Sequence, residues 1–167
     1  MRGTKIKKVI SVIKKRRTIR LFKSPTGDRQ LLSDGYAAYD VSSFPDINTK
    51  EQLAAVLSID KPQDYSIEIA PIPEMLLDLP MSEGTQLFYT SVVFGGVEYV
   101  FFTANGEIYA VDRTYLKPFD IDEMFYVSKG EKGPVIIAGG LTEFAYILPM
   151  QISEDMKQEL EQIIKKL

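Results

Sequence analysis

The chain contains no histidine and no cysteine, and this absence restricts the chemistry that its side chains can perform. Without cysteine there is no thiol nucleophile, disulfide or redox switch, and without either residue type an ordinary structural zinc site cannot form. Serine–histidine and cysteine–histidine catalysis and proton transfer by imidazole are excluded for the same reason. Any catalysis would therefore have to use carboxylate, lysine, tyrosine or serine groups.

Two serine–lysine pairs have a spacing that is compatible with covalent catalysis. Ser11 and Lys14, and likewise Ser58 and Lys61, lie three positions apart, which places both side chains on one face of a helix. Serine acyl-enzymes with a lysine base require this arrangement. The first pair lies in a strongly basic segment, the second at the end of an expected helix, and no Lys-Thr-Gly string accompanies them. We interpret both pairs as chance occurrences and predict no catalytic residue.

The acidic and glycine-rich positions do not predict a metal or phosphate site. Asp120, Asp122 and Glu123 bring together oxygen ligands of the kind that magnesium prefers, but a solvated acidic loop is the favoured interpretation. The glycines at 130, 133, 139 and 140 lack the patterns of nucleotide-binding loops and are better explained as turns. We expect no metal, no cofactor and no small-molecule substrate. An enzyme that works through carboxylates is the least favoured alternative.

Basic residues are concentrated at the start of the chain. Residues 1–23 contain ten of the twenty lysines and arginines and no acid, so they carry a formal charge of +10. The remaining ten basic residues stand against twenty-three acids, which leaves −13 for residues 24–167. Such asymmetry indicates a charged partner. The segment has three candidate uses, namely binding a polyanion such as nucleic acid, binding an acidic membrane surface, or folding back onto the acidic remainder. The candidate polyanion contacts are Lys14, Lys15, Arg16, Arg17, Arg20 and Lys23.

The length of 167 residues, with 45% hydrophobic and 26% charged residues, is typical of one globular domain. We divide the chain into a basic N-terminal arm, residues 1–17, and a single domain, residues 18–167. The arm has apolar residues at helical spacing, but its β-branched content suits a strand equally well. No uncharged stretch approaches the roughly 20 apolar residues of a membrane span. We expect no membrane span and a cytoplasmic location.

The clearest structural pattern lies between residues 86 and 112. Asn105-Gly106 between two apolar runs predicts a type I′ hairpin, and Gly95-Gly96 supplies a second turn of two residues. These turns set the register of a three-stranded meander, in which Thr90 pairs with Phe101 and Phe101 pairs with Ala110. We expect this meander to be the centre of an antiparallel sheet.

Both faces of the predicted meander are apolar, whereas a sheet with one side in water would alternate apolar and polar residues. One face carries the aromatic residues Tyr89, Phe102 and Tyr109. Leaving three aromatic rings in water would forgo about 1.5–3 kcal/mol for each ring. We therefore expect a helix of the same chain, a partner protein or a second copy to cover this face. Tyr89, Phe102 and Tyr109 are the candidate protein interface.

Two helices are predicted outside the basic segment. Asn48 or Thr49 can begin a helix near residues 49–59, because Glu51 and Gln52 lie at capping-box distance from them. Ser153 can begin a C-terminal helix near residues 153–167, whose apolar stripe would suit it to cover the meander. A few separated helices among many strands predict an α+β fold around an antiparallel sheet.

Three strings in the sequence support a resemblance to known proteins. Asp34-Gly35-Tyr36-Ala37-Ala38-Tyr39, Glu107-Ile108-Tyr109 and Tyr115-Leu116-Lys117-Pro118-Phe119 resemble strings in small uncharacterised proteins of bacteriophages and prophages of Gram-positive bacteria. The resemblance implies expression inside a bacterial host and a small accessory role, and it assigns no functional residue. The favoured function is a non-catalytic accessory protein that acts through protein–protein contact or self-association. The alternative is polyanion binding through the basic arm.

Overall fold

The computed structural model describes residues 3–77, 85–86, 88–94, 97–104, 107–119, 125–130, 133–139, 144–150 and 153–165. In these ranges the predicted α+β fold is confirmed. The helices are α1 (Gly3–Lys14), α2 (Lys50–Val56), α3 (Glu74–Leu77) and α4 (Glu154–Lys165). The strands are β1 (Thr18–Lys23), β2 (Gln30–Ser33), β3 (Ala37–Asp40), β4 (Ser66–Pro71), β5 (Thr85–Gln86), β6 (Phe88–Phe94), β7 (Val97–Ala104), β8 (Glu107–Asp112), β9 (Phe125–Gly130), β10 (Gly133–Gly139) and β11 (Phe144–Ile147).

The described strands form two sheets. Eight of them pair in the order β4-β1-β2-β3-β11-β10-β9-β5, and every pair is antiparallel except β1 with β4. The other three form the sheet β6-β7-β8. A single antiparallel bridge, Ala110 to Met150, joins β8 to the segment that follows β11. The N–H of Met150 donates to the carbonyl oxygen of Ala110 at 2.8 Å.

The sheet β6-β7-β8 is the predicted meander, and its register is confirmed. Thr90 pairs with Phe101, and Phe101 pairs with Ala110. The turns at residues 95–96 and 105–106 that motivated the register lie outside the described residues. The meander is a small sheet beside the larger one, and it is joined to the segment after β11 by the bridge at Ala110. Turn chemistry therefore predicted the hairpins but not their place relative to the larger sheet.

The main hydrophobic core lies on one face of the eight-stranded sheet. Alternate residues of the strands point into it, among them Ile19, Leu21 and Tyr39, each of which is fully buried. Tyr109 and Val111 of the meander belong to the same core. The aromatic face of the meander is thus covered, at these positions, by the chain itself.

The N-terminal segment forms helix α1, and its apolar side packs into the main core. Val9 and Ile13 are fully buried, and Val12, which interrupts the helical spacing in the sequence, is 3% exposed. Because these side chains are buried together with those of the sheet, α1 is part of the folded body and does not extend from it. Arg17 takes a φ of +59° in the turn that leads from the helix into β1.

Helix α2 begins as the sequence predicts. Thr49 is its N-cap, with its side chain accepting the N–H of Gln52 at 3.1 Å while the Gln52 side chain accepts the N–H of Thr49 at 3.2 Å. This reciprocal pair is a capping box. The helix ends at Val56, and the Lys14 ammonium donates to the carbonyl oxygen of Leu57 at 3.2 Å. A cation at this end is favourable because the carbonyl end of a helix is partially negative.

A smaller core lies on the opposite face of the eight-stranded sheet. Leu31, Ala38 and Tyr146 are buried there against Ile72 and Leu76, which come from the segment that contains α3. The sequence predicts an irregular crossing loop in this region, and the structure places a four-residue helix, Glu74–Leu77, within it. That short helix covers only part of the face.

A candidate protein-binding groove and a basic helix face

The part of the second sheet face that α3 leaves uncovered is a groove of about 220 Å³. Phe22, Ala38 and Tyr146 line it from three different strands, and Leu76 lines it from α3. The three strand residues share one face of the sheet, because residues that pair across neighbouring strands, like alternate residues within a strand, point to the same side. The groove is therefore mainly apolar, and we refer to it below as the groove.

Two large apolar side chains at the groove are exposed to solvent. Tyr36 is 48% exposed and Leu148 is 40% exposed, and both line the groove. They are adjacent because the N–H of Leu148 donates to the carbonyl oxygen of Tyr36 at 2.8 Å. Met150, at 46% exposed, is the other large apolar side chain that is exposed among the described residues, and it does not line the groove. We call Tyr36 and Leu148 the groove rim.

The turn between β2 and β3 holds Tyr36 in place. Asp34 is 3% exposed, and its Oδ1 accepts the N–H groups of Tyr36 at 2.9 Å and Ala37 at 3.1 Å. This is the hydrogen bonding by which aspartate stabilises tight turns. Gly35 lies between them with a φ of +96°, a conformation that favours glycine. The backbone of the rim residue Tyr36 is consequently fixed before any ligand binds.

Two buried phenols extend this hydrogen-bond network. The Tyr115 hydroxyl donates to Asp34 Oδ2 at 2.8 Å, and the Tyr39 hydroxyl donates to the carbonyl oxygen of Tyr115 at 2.7 Å. Burial raises the pKa of Tyr115 to about 12, and burial likewise raises the pKa of Tyr39 well above its usual value. Both phenols therefore stay protonated near neutral pH and act as hydrogen-bond donors. Their arrangement supports the turn and is not that of a proton-transfer site.

Arginine side chains contact the groove residues. The Arg16 guanidinium carbon lies 3.9 Å from the ring centroid of Tyr36, which is a cation–π contact. Arg20 lines the groove directly, and Arg29 donates to the hydroxyl of Tyr146 at 2.5 Å. A hydrogen bond with Tyr115 raises the pKa of Arg16. Among the described residues that line the groove, none is acidic.

The fold uses four of the six predicted polyanion contacts for internal bonds, including Arg16, whose hydrogen bond with Tyr115 is described above. Lys14 donates to the carbonyl oxygen at the end of α2, as described above. Arg20 forms an ion pair with Glu68 at 3.6 Å. Lys23 donates to Asp46 Oδ1 at 2.5 Å and to the carbonyl oxygen of Ile47 at 2.8 Å, and the bond from Lys23 lowers the pKa of Asp46. The structure leaves Lys15, Arg16 and Arg17 exposed.

Helix α1 adds two exposed cations, Lys7 and Lys8, that the sequence interpretation did not assign to a site. They lie on a different side of the helix from the buried Val9 and Ile13, and Lys15, a predicted polyanion contact, is exposed directly after the helix ends at Lys14. No ion pair in the described part of the chain involves any of these three lysines. We call Lys7, Lys8 and Lys15 the basic helix face. The sequence could have indicated this face, because the helical spacing of the apolar residues leaves the lysines of α1 on another side of the helix.

The predicted protein interface is only partly within the described side chains. Tyr89, Phe102 and Tyr109 pair across the meander as predicted. Tyr109 is 7% exposed and belongs to the main core, so the chain itself covers this position. The side chains of Tyr89 and Phe102, and the apolar side chains of α4 that were expected to cover them, lie outside the described residues.

The other candidate sites gain no support from the described residues. Lys14 of the first serine–lysine pair is bonded to backbone carbonyls, and Ser58 of the second pair lies in a turn with a φ of +53°. Asp120, Asp122 and Glu123 lie outside the described residues. Within the described ranges no cluster of acidic side chains is arranged to hold a metal ion. Nor does any helix in those ranges combine the length and the apolar character needed to cross a membrane.

Comparison with known proteins assigns no family to the chain. It matches no protein-family model, no curated protein and no solved structure.

Proposed function

We propose that this protein is a non-catalytic interaction protein that binds a partner protein through the groove. The observation that carries the proposal is the groove rim, in which Tyr36 and Leu148 are held exposed beside an apolar groove. A single exposed apolar residue is ordinary on a protein surface, whereas a contiguous exposed apolar patch marks an interaction site.

The size of the groove favours side chains of a protein over a small molecule. Pockets for cofactors and metabolites have volumes of about 300–1,000 Å³. The groove has about 220 Å³ and is open to solvent, which suits one or two apolar side chains of a partner segment. Burial of the exposed parts of Tyr36 and Leu148 would add up to about 1.5–3 kcal/mol for each side chain.

The rigidity of the groove rim also supports binding. The Asp34 turn fixes the backbone of Tyr36, and the bond from Leu148 to Tyr36 fixes the two rim residues relative to each other. A surface that is ordered before binding loses less conformational entropy in the complex, and this raises affinity. Exposed aromatic residues that are already held in place are typical of the residues that dominate binding energy.

Selection from a phage-displayed library of heptapeptides tests this function. We expect the wild-type protein to enrich binders that are lost in a Leu148→Glu variant and retained in Met150→Glu, the matched control at an exposed position away from the groove. Sedimentation of the three proteins at high concentration tests the alternative occupant, a second copy of the chain. Self-association that Leu148→Glu abolishes would identify that copy as the partner. Binders that keep their affinity for the Leu148→Glu variant would refute the proposal. So would a selection that yields no binders from a protein that sediments as a monomer at all concentrations.

The basic helix face supports a second candidate function, the binding of a polyanion such as nucleic acid. Its three lysines are exposed without carboxylate partners among the described residues, and burial of the apolar side of α1 fixes the helix that carries Lys7 and Lys8. If they neutralise three phosphates, the binding constant should fall about 40-fold between 50 and 200 mM salt. Exposed Arg16 and Arg17 would extend the surface and increase this dependence.

A salt titration with a short DNA duplex tests the second candidate. Replacing Lys7, Lys8 and Lys15 together by glutamine should flatten the dependence of the binding constant on salt. The matched control replaces Lys50, Lys61 and Lys117, which are exposed outside the basic helix face. This control should change the salt dependence of the binding constant little. An unchanged salt slope in the first triple variant would show that the basic helix face does not bind the duplex.

The resemblance of the Asp34–Tyr39 string to phage and prophage proteins supports a biological setting for this contact. In that setting the chain is an accessory protein that works in the cytoplasm of a bacterial host. Fractionation of a host that expresses it from its own promoter tests the location. Recovery outside the cytoplasmic fraction would contradict it.

A further inference from the structure

Guanidinium groups lie at the border of the groove, and no described residue that lines the groove is acidic. Arg16 and Arg20 belong to the basic segment 1–23, and Arg29 pairs with Asp40 at 4.0 Å. Arg20 lines the groove, and Arg16 and Arg29 contact the rings of the lining residues Tyr36 and Tyr146. The groove therefore combines apolar side chains with guanidinium groups at its border.

The acid that pairs with Arg20 is easily exchanged for another one. The Arg20 and Glu68 side chains are 46% and 59% exposed, and their closest charged atoms are 3.6 Å apart. Exposed pairs of this kind contribute little to stability. The Arg20 guanidinium can thus turn from Glu68 to a ligand carboxylate at little energetic cost, and it can bind both carboxylate oxygens at once.

Arg16 adds a second positive charge close to the groove rim. Its guanidinium is stacked on the ring of Tyr36, one of the two rim residues. A planar guanidinium in such a stack is held in orientation and is more weakly hydrated than an ammonium group, which suits it to an interface. A carboxylate on a ligand that contacts Tyr36 will therefore be attracted by the charge of Arg16 as well as by that of Arg20.

We propose that the groove selects an acidic peptide segment of the partner protein, in which an apolar side chain lies next to a carboxylate. The apolar side chain packs against Phe22 and the groove rim, and the carboxylate pairs with Arg20 close to Arg16. This inference rests on the proposed function, because it names the chemistry of the partner that the groove binds.

The test uses heptapeptides selected from the phage library and synthesised in two forms, with glutamate and with glutamine at the acidic position. We expect the selected sequences to be enriched in an acid beside an apolar residue. A charge-assisted hydrogen bond at a partly exposed site predicts about 10-fold weaker binding of the glutamine form. In an Arg20→Gln variant the two forms should bind equally within about 2-fold, since the carboxylate has lost its partner.

Arg113→Gln is the matched control. Arg113 also forms an exposed ion pair with a glutamate, Glu98, and it does not line the groove. This variant should keep the full preference for the glutamate form. Binders that depend on Leu148 but show no preference between the two forms would overturn this inference while the proposed function stands. The absence of any binder that depends on Leu148 would overturn both.

Discussion

Deletion of residues 1–17 should unfold the remaining chain, because α1 supplies part of the main core. Val9, Val12 and Ile13 are all at most 3% exposed and lie in the same cluster as the sheet residues. Each fully buried side chain of this size contributes about 1.5–3 kcal/mol, so these three together contribute about 5–9 kcal/mol. Native domains have a total stability of about 5–15 kcal/mol, so a loss of this size removes most of it.

The deletion is measured by urea denaturation followed by circular dichroism, with the full chain as reference. A matched pair of point variants localises the effect within α1. Ile13→Ala removes a fully buried side chain and should lower the free energy of unfolding by about 2–5 kcal/mol. Ser11→Ala changes an exposed position of the same helix and should alter it by less than about 0.5 kcal/mol.

A fragment of residues 18–167 that unfolds cooperatively at the same urea concentration as the full chain would refute this reasoning. It would show that the segment is an arm outside the domain, as the sequence alone suggested. Equal stability of Ile13→Ala and Ser11→Ala would refute it in the same way, without the need for a truncated chain.

Three further predictions follow from local features of the fold. Thr49→Ala removes the α2 cap and should cost about 1 kcal/mol in urea denaturation, whereas an unchanged midpoint would contradict the capping role. Gly35→Ala has space for the added carbon but forces alanine to a φ of +96°, so it should cost about 1–3 kcal/mol and weaken peptide binding at Tyr36. The raised pKa of Tyr115, about 12 against an ordinary 10, stabilises the fold fully below pH 10. About 2–3 kcal/mol should be lost between pH 10 and 12, and a Tyr115→Phe variant should lose less stability over that range.

The hairpins and the caps were predictable because their signals are local. The Asn105-Gly106 turn, two residues long, was enough to set the pairing of Phe101 with Ala110, which the structure confirms. A spacing of three residues predicted a cap at Asn48 or Thr49, and the structure has it at Thr49. In each case the interacting groups are close in sequence, so the residue types that decide the structure can be inspected together.

The place of these elements in the fold was not predictable in the same way. The larger sheet pairs β3 with β11, and Ala37 lies opposite Ile147 more than a hundred residues later. Strand β9, Phe125–Gly130, pairs with β10 and carries no turn or spacing signal that the sequence analysis used. Nothing in the turn chemistry of the meander indicates that its strands form a separate sheet, because sheet order depends on contacts between distant segments.

The features of the candidate sites also differ in whether the sequence alone determined them. The sequence by itself determined the absence of histidine and cysteine chemistry and the concentration of positive charge in residues 1–23, because composition and charge do not depend on folding. Only the tertiary structure decided that Lys23 is bonded to Asp46 while Lys7 remains exposed. The groove also depends on the tertiary structure, because Phe22, Leu76 and Tyr146 come from distant parts of the chain and meet only when the strands pair.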